Sequence, residues 1–257
     1  MEAPKLSIIT INFNDAEGLR KTMNSVFNQT FKDYEFLIID GGSSDNSLDY
    51  IKQEEGRITY WVSEMDDGVF NAQNKGIKIA KGNYLLFLNS GDILNGNDAL
   101  KDFTSNENFQ GDIIYGDYKF DEGEKVYVDD LTMYYFMKTS LPHQSTLFKR
   151  NVFEQMGYYD EKYHIAADRA FYIKCFVSGR FKFQHIKYPL TLFDLTGLSN
   201  DPKFLKEKKV EDEAVFKEYF GIHYDHMIKQ REEEKAEYLK KRNSISGIIK
   251  RIKKRLS

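Results

Sequence analysis

Three acid-bearing clusters punctuate the first hundred residues of this 257-residue chain: Asp40-Gly41-Gly42, Glu64 with Asp66 and Asp67, and Ser90-Gly91-Asp92. Each follows an apolar run. Each also reads in two ways, as an ordinary turn built from Asp, Gly and Ser or as carboxylates presented at a strand end. A rim of carboxylates repels bare phosphate. It suits a divalent cation that in turn holds a diphosphate, or the hydrogen-bond donors of a base, a ribose or a sugar hydroxyl. Two common phosphate cradles are missing, since no GxxxxGK[ST] occurs and no GxGxxG follows the first apolar run. The pattern therefore favours a metal-assisted nucleotide diphosphate over a dinucleotide.

For these clusters to act together, the elements before them must end on one rim. LSIITINF (6–13) and YEFLIID (34–40) are unbroken apolar, β-branched runs, as expected of strands covered on both faces in a parallel sheet. ITYWVSE (58–64) and YLLFLN (84–89) read as two more. Between them lie helical stretches: one capped by Asn14 or Asp15 with Leu19, Met23, Val26 and Phe27 at helical spacing, a short one around Leu48 and Ile51, and DGVFNAQNKGIKIA (67–80). Strand and helix alternating at this spacing predict right-handed crossovers and a parallel α/β sheet. Ligands of such sheets bind beyond the carboxyl ends of the strands.

After residue 100 the alternation loosens. DIIYGDYKF (112–120) and STLFKR (145–150) read as strands, VFEQMGYYD and DRAFYIKCFVSG as short helices. RFKFQHIKYPLTLFDL alternates as an antiparallel edge strand does, with Pro189 favouring an edge. After Pro202 the chain turns charged and helical. The expected organisation is a domain over 1–200, with a nucleotide half (1–100) and an acceptor half (101–200), followed by a charged helical extension over 201–257.

Composition narrows the class. Hydrophobic residues at 41% and aromatics at 15% supply a large core and exclude a disordered chain. A net charge of −3 argues against nucleic acid as the main partner. The lone Cys175 rules out an intrachain disulfide and reads as core. No secretory signal is visible in MEAPKLS, and no apolar run approaches the ~20 residues needed to span a bilayer. The expectation is a cytoplasmic protein, soluble or peripheral on the inner face of the cell membrane.

SIITINFND with SVFNQTFKDYEFLIIDGGSSDNS, then SEMDDGVFNAQNKGIKIAKGNYLLFLNSGD, closely resembles the inverting family 2 glycosyltransferases of the GT-A fold, over about residues 5 to 200. The resemblance implies a mostly parallel central sheet flanked by helices, a nucleotide-sugar donor, Mg²⁺ or Mn²⁺, and single-displacement transfer with inversion. It places Thr10 and Asn12 at the nucleotide, Asp40 as acceptor from the base (uracil N3–H), Asp66 on the nucleotide, and Lys75 near the diphosphate. It makes Asn89-Ser90-Gly91-Asp92 a reduced Asp-x-Asp element, with Asp92 the principal protein ligand of the metal. LPHQSTLFKR resembles the family's His-Gln-Ser segment, which puts His143 and Gln144 by the donor sugar; a strand-start histidine packed on a neighbour is the alternative. AADRAFYIKC occupies the place of the Glu-Asp element, with Ala167 where the Glu would stand. Asp168 is then the general base that takes the acceptor hydroxyl's proton, a role compatible with an ordinary first-turn acid. FDLTGLSN (193–200) resembles a loop that closes over the donor.

In 240–257 eight Lys and Arg residues and no acids interleave with Ile245, Ile248, Ile249, Ile252 and Leu256 at helical spacing. That stripe, over 243–256, suits an anionic membrane surface or a partner helix. Membrane contact fits a lipid-linked saccharide acceptor and a role in bacterial surface-polysaccharide synthesis. A sugar nucleotidyltransferase would carry a Gly-rich, basic loop after the first strand, which INFNDAEG matches poorly. A non-catalytic sugar- or nucleotide-binding module is the remaining alternative, because Asn89 and Ala167 thin two acidic motifs.

Overall fold

The first strand, β1 (Leu6–Asn12), is buried at every position, as an unbroken apolar run requires of a central parallel strand. Its neighbours β2 (Tyr34–Asp40) and β4 (Tyr84–Phe87) pair with it in parallel, and β3 (Tyr60–Ser63) pairs in parallel with β2. Helices α1 (Ala16–Phe27), α2 (Ser47–Gln53) and α3 (Val69–Ile79) make the crossovers. The register sets Asn12 opposite Asp40 and Asp40 opposite Ser63, so these strand ends are lateral neighbours. Asp15 caps α1 by accepting from the Gly18 N–H at 3.0 Å. The helix then buries Leu19, Met23, Val26 and Phe27 against Leu6, Ile8, Phe36 and Ile38 of the strands. In this computed structural model residues 3–120, 123–192 and 202–243 are described.

The second half adds β5 (Ile93–Leu94), α4 (Ala99–Thr104), β6 (Ile113–Phe120), β7 (Gly123–Lys125), α5 (Met133–Lys138), β8 (Thr146–Lys149), α6 (Arg150–Met156), α7 (Ala167–Ser178), β9 (Phe183–Leu192), α8 (Leu205–Phe220) and α9 (Tyr224–Asn243). Among the described residues the sheet runs β3-β2-β1-β4-β8-β6-β9-β5, with β7 on β6. The mostly parallel pairing within the first hundred residues matches the expected class. The expected antiparallel edge strand is corrected: β9 lies between β6 and β5 and runs parallel to β6. Pro189 is tolerated there because the β6–β9 register breaks on both sides of the Asp117–Pro189 pair, a bulge at which a ladder N–H is dispensable. Phe87, Phe148, Phe153, Tyr159, Phe171 and Tyr172 pack ring to ring with centroids 4.7–6.1 Å apart, joining the end of β4 to α6 and α7. Cys175 is buried, as expected of a core residue.

The chain clusters into two units, the first running to Asp212 and the second from Glu213 onward. The first unit thus takes in the first half of α8. In the second unit Phe216 and Phe220 stack at 5.5 Å, and the charged α9 carries a Lys241–Glu237 pair one turn apart. No helix of the described residues is long and apolar enough to cross a membrane. The expected membrane stripe lies outside the described residues except for Asn243, and the 193–200 loop lies wholly outside them.

Candidate functional site

At the carboxyl ends of the parallel strands a hydrogen-bonded chain crosses the rim. Ser63 Oγ donates to Asp40 Oδ2 (2.6 Å), Asn12 Nδ2 donates to Asp40 Oδ1 (2.7 Å), and Ser90 Oγ donates to Asn12 Oδ1 (2.8 Å). The Ser43 hydroxyl and N–H also donate to Asp40, at 2.6 and 2.9 Å. Four strand ends are thereby locked together around one carboxylate. Burial pulls the Asp40 pKa upward, but the hydrogen bonds from Ser43, Ser63 and Asn12 outweigh it and hold the carboxyl below its ordinary range.

This closure bears on the expectation that Asp40 accepts from a base. Its side chain has no exposed surface, and its two oxygens already accept from four donors of the chain itself. In this arrangement it organises the rim. Thr10 likewise lies two residues inside β1, fully buried, with a hydroxyl that meets no partner. What faces outward beside Asp40 is a residue the motifs passed over. Phe13 is 64% exposed, and a Cβ built on Gly41 would lie 3.3 Å from its ring and 2.6 Å from Asp66 Oδ2. The Phe13 ring and the Asp66 carboxylate therefore both crowd the place where a side chain on Gly41 would begin, and leave bare backbone between them. Asp66 Oδ1 also accepts from the Gly68 N–H at 3.0 Å. Lys75 points to the same corner, where its Nζ pairs with Glu64 (2.8 Å) and donates to the Met65 carbonyl (3.0 Å), bracing that turn.

The turn after β4 is fixed from both sides. Asn89 N–H donates to Asp92 Oδ2 (3.0 Å), Asp92 N–H to the Asn89 carbonyl (2.9 Å), and Thr22 Oγ1 to the Asp92 carbonyl (2.8 Å). Gly91 sits at φ +97°, a region that a side chain would strain. Gln73 of α3 reaches Asn89 Oδ1 at 3.2 Å. Asp92 is thus a partly exposed carboxylate in a rigid turn next to Ser90 and Asn12. Among the described residues no three His, Cys, Asp or Glu side chains gather as a metal cage. One rim carboxylate is a donor set that fits a hard divalent cation arriving with a diphosphate and keeping water, as Mg²⁺ commonly does. It does not fit a cation held by protein alone.

The second cluster lies across Phe87, the last residue of β4. His143 stacks on Phe87 at 4.9 Å, and its Nε2 shares a 3.0 Å hydrogen bond with the Tyr159 hydroxyl. Burial pushes the His143 pKa down to about 3, so the imidazole is neutral and offers a hydrogen bond but no charge. Gln144 beside it is buried. Asn74 of α3 fixes Tyr159 by bonding both its carbonyl and its N–H at 3.0 Å, while Asn71 and Asn74 together hold Glu161. These contacts tie the segment around Tyr159 to α3.

Asp168 lies in the first turn of α7, partly exposed, with Oδ1 accepting from the Arg169 N–H at 2.7 Å. Burial raises its pKa to about 6, against the lowering influence of the Arg169 N–H and the Arg169 and Lys208 charges, with Asp212 adding to the rise. Its charge also reaches Tyr159 and Tyr172, whose phenols burial keeps protonated. A carboxylate with a pKa just below neutrality, at the edge of a cluster of neutral hydrogen-bonding groups, is equipped to accept a proton near pH 7.

Comparison with known proteins bears on which reaction these clusters serve. The model of a family described as Glycosyl transferase family 2 matches residues 7–183. Over 183 residues the chain is 34% identical to an uncharacterized glycosyltransferase of Mycobacterium tuberculosis, covering 67% of this chain and 69% of that one. Over 220 residues it is 31% identical to a PGL/p-HBAD biosynthesis glycosyltransferase of Mycobacterium bovis, covering 80% and 84%. Among solved structures, S. aureus TarS 1–349 in complex with UDP-GlcNAc superposes with a TM-score of 0.65 at 17% identity, over 86% of this chain and 73% of that one. The mannosyltransferase PcManGT from Pyrobaculum calidifontis, in complex with GDP-Man and Mn²⁺, gives 0.61 at 15% identity, over 83% and 64%. This chain spans 43% of the longer TarS chain.

Proposed function

The chain belongs to glycosyl transferase family 2, and from that premise we propose that it moves a sugar from UDP onto a saccharide hydroxyl by a single displacement that inverts the anomeric carbon. It is a glycosyltransferase of the GT-A fold that works on a nucleotide-sugar donor. The observation that carries the mechanism is Asp168, a carboxylate with a pKa raised to about 6 at the start of α7. In the reaction the acceptor oxygen attacks the anomeric carbon and its proton passes to Asp168. The bond from that carbon to the diphosphate oxygen breaks, and its electron pair leaves with the nucleotide. An inverting displacement needs one base and no enzyme nucleophile, and the acceptor half offers one such acid at the site.

On the donor side the exposed Phe13 ring supplies a face for the base beside the Gly41 backbone, with Asp66 as hydrogen-bond acceptor. Asn12 and Ser90 hold the rim, and Lys75 keeps the 64–65 turn in place. A divalent cation, Mn²⁺ or Mg²⁺, would be held by Asp92 and would neutralise the diphosphate leaving group. His143, neutral and hydrogen-bonded to Tyr159, lines the sugar side with Gln144. Uridine is supported by TarS binding UDP-GlcNAc, and a bacterial surface glycoconjugate as product by the relative named for PGL/p-HBAD biosynthesis. A lipid-linked acceptor accords with the basic, apolar stripe in 243–256.

The test is a transfer assay with nucleotide sugars and saccharide acceptors. Asp168→Asn is expected to lower kcat by about 10²–10⁴-fold while the Kd for UDP changes less than about twofold. Wild-type turnover in that variant would remove Asp168 as base.

A further inference from the structure

The start of α7, which presents Asp168, has nothing of its own to hold it. Its N-cap is Ala166, without a side-chain cap, and Ala167 follows. The backbone donors at this point are satisfied from elsewhere in the chain. Glu211 of α8 accepts from the N–H of His164 (2.7 Å) through Oε1 and from those of Ile165 and Ala166 (both 2.9 Å) through Oε2. One buried carboxylate thus takes three consecutive N–H groups of the turn that leads into the helix, the last of them that of the N-cap residue, a donor the helix itself leaves unpaired. It also places a negative charge where the helix dipole favours one. The next residue continues the brace. Asp212 Oδ1 meets Arg169 Nη1 at 2.8 Å, between side chains only 18% and 10% exposed, and Arg169 Nε donates to the Phe136 carbonyl at 3.1 Å. Asp168 is therefore flanked by a turn hung on Glu211 and a neighbour clamped by Asp212.

We infer that Glu211 is the positioning residue for Asp168, with the Asp212–Arg169 pair as its second anchor, so that α8 is a working part of the acceptor site. This inference rests on the reading of Asp168 as base. Glu211 touches no reacting atom. It fixes where α7 begins, and with it the direction and the solvent exposure of the carboxylate one turn on. A displacement of about 1 Å at a reacting group is enough to lower a rate about 10²-fold. The charged and titratable groups acting on Asp168 are Arg169 and Tyr172 on α7, Lys208 and Asp212 on α8, and Tyr159 on the preceding loop. Loosening the helix start lets water in around Asp168, and removing the Asp212 charge withdraws a neighbour that raises its pKa. Both changes move the acid limb of the rate profile to lower pH.

The experiment compares full-length Glu211→Gln, Asp212→Asn, Asp168→Asn and the Asp168→Asn/Glu211→Gln double variant by kcat and KM against pH, with UDP affinity as a control. Glu211→Gln keeps the size of the side chain but turns an amide toward donors that need an acceptor. It is expected to lower kcat tenfold or more, to shift the acid limb downward, and to leave UDP affinity within twofold. Asp212→Asn should do the same to a smaller degree, and the double variant should be no slower than Asp168→Asn alone. Glu211→Gln and Asp212→Asn enzymes with wild-type kcat and an unmoved acid limb overturn the inference, even if both melt earlier. Should Glu211→Gln fail to fold, Asp212→Asn on its own decides by the same two readouts. An active Asp168→Asn enzyme instead sinks the base reading, so the two failures are distinct.

Discussion

At the scale of single residues the site is a contrast between two carboxylates at strand and helix ends. Asp40 has its acidity strengthened by the hydrogen bonds it accepts, whereas Asp168 is held partly out of water, accepts from the Arg169 N–H and has a pKa near 6. Their sequence contexts alike show an acid at the border of an apolar element. The motifs single out all three acids, but spacing along the chain does not tell which carboxylate oxygens are already taken. For Asp40 that depends on Asn12 and Ser63 arriving from neighbouring strands and on Ser43 folding back from three residues on. Asp168 has a consequence for stability that follows from its raised pKa. Between its ordinary 3.8 and about 6 the folded state binds the proton more tightly than the unfolded chain. The carboxyl's contribution to stability is then fully present below about pH 4 and is lost as pH rises through 6. Such a displacement corresponds to at most about 3 kcal/mol, and partial exposure reduces it to about 1–2 kcal/mol. Asp168→Asn is therefore expected to raise Tm by about 2–6 °C at pH 7.5, with the gain vanishing near pH 4. In the wild-type enzyme kcat should fall as pH drops through about 6. A variant no more stable than wild type at pH 7.5 would show that the carboxylate is well solvated.

At the scale of elements, β1 and β2 were legible because each buries both faces and its apolar run leaves no alternative period. β9 was not, because alternation in RFKFQHIKYPLTLF describes its faces and says nothing of its neighbours. Its parallel partner β6 lies about 70 residues upstream and is chosen by packing. The clamp of Glu211 on the start of α7 was equally invisible, since it spans 45 residues and Glu211 sits in an ordinary charged helix. The close seating of β4 on β1 rests on a glycine. A Cβ on Gly82 would fall 2.4 Å from the Ser7 nitrogen and 2.5 Å from the Leu6 carbonyl carbon, both backbone atoms that cannot swing aside. The Gly82 N–H also donates to Ser7 Oγ (2.8 Å) and to the buried Glu35 (3.1 Å), so the turn cannot slide without giving up those bonds. Gly82→Ala should destabilise the protein by about 2–3 kcal/mol, read as a lower urea midpoint at unchanged m-value. Wild-type stability in that variant would mean that β4 seats differently.

At the scale of the whole molecule, donor binding should appear as stability, because the rim is assembled from the ends of several strands and only the folded state presents it. A ligand at 100 times its Kd stabilises the folded state by about 2.7 kcal/mol. In a unit of this size, where 1 kcal/mol is worth about 2–4 °C, that amounts to roughly 5–10 °C in Tm. On the proposed reading a cation would enter this balance through the Asp92 carboxylate, in accord with no three His, Cys, Asp or Glu side chains gathering among the described residues. Mn²⁺ alone should therefore move Tm very little, UDP alone modestly, and the two together by more than the sum of their separate shifts. Each completes the other's site, and such coupling is reciprocal. Asp92→Ala should abolish that excess and leave the shift from UDP alone, because the Phe13 face and the Asp66 corner lie on other strand ends. The measurement is a thermal-denaturation series with UDP, Mn²⁺, both, and both with EDTA, on wild type and Asp92→Ala. A UDP shift unaffected by EDTA in the wild type would mean that the diphosphate is held by protein groups alone, and the cation would drop out of the mechanism. An excess that survives in Asp92→Ala would keep the cation and move its ligand elsewhere on the rim.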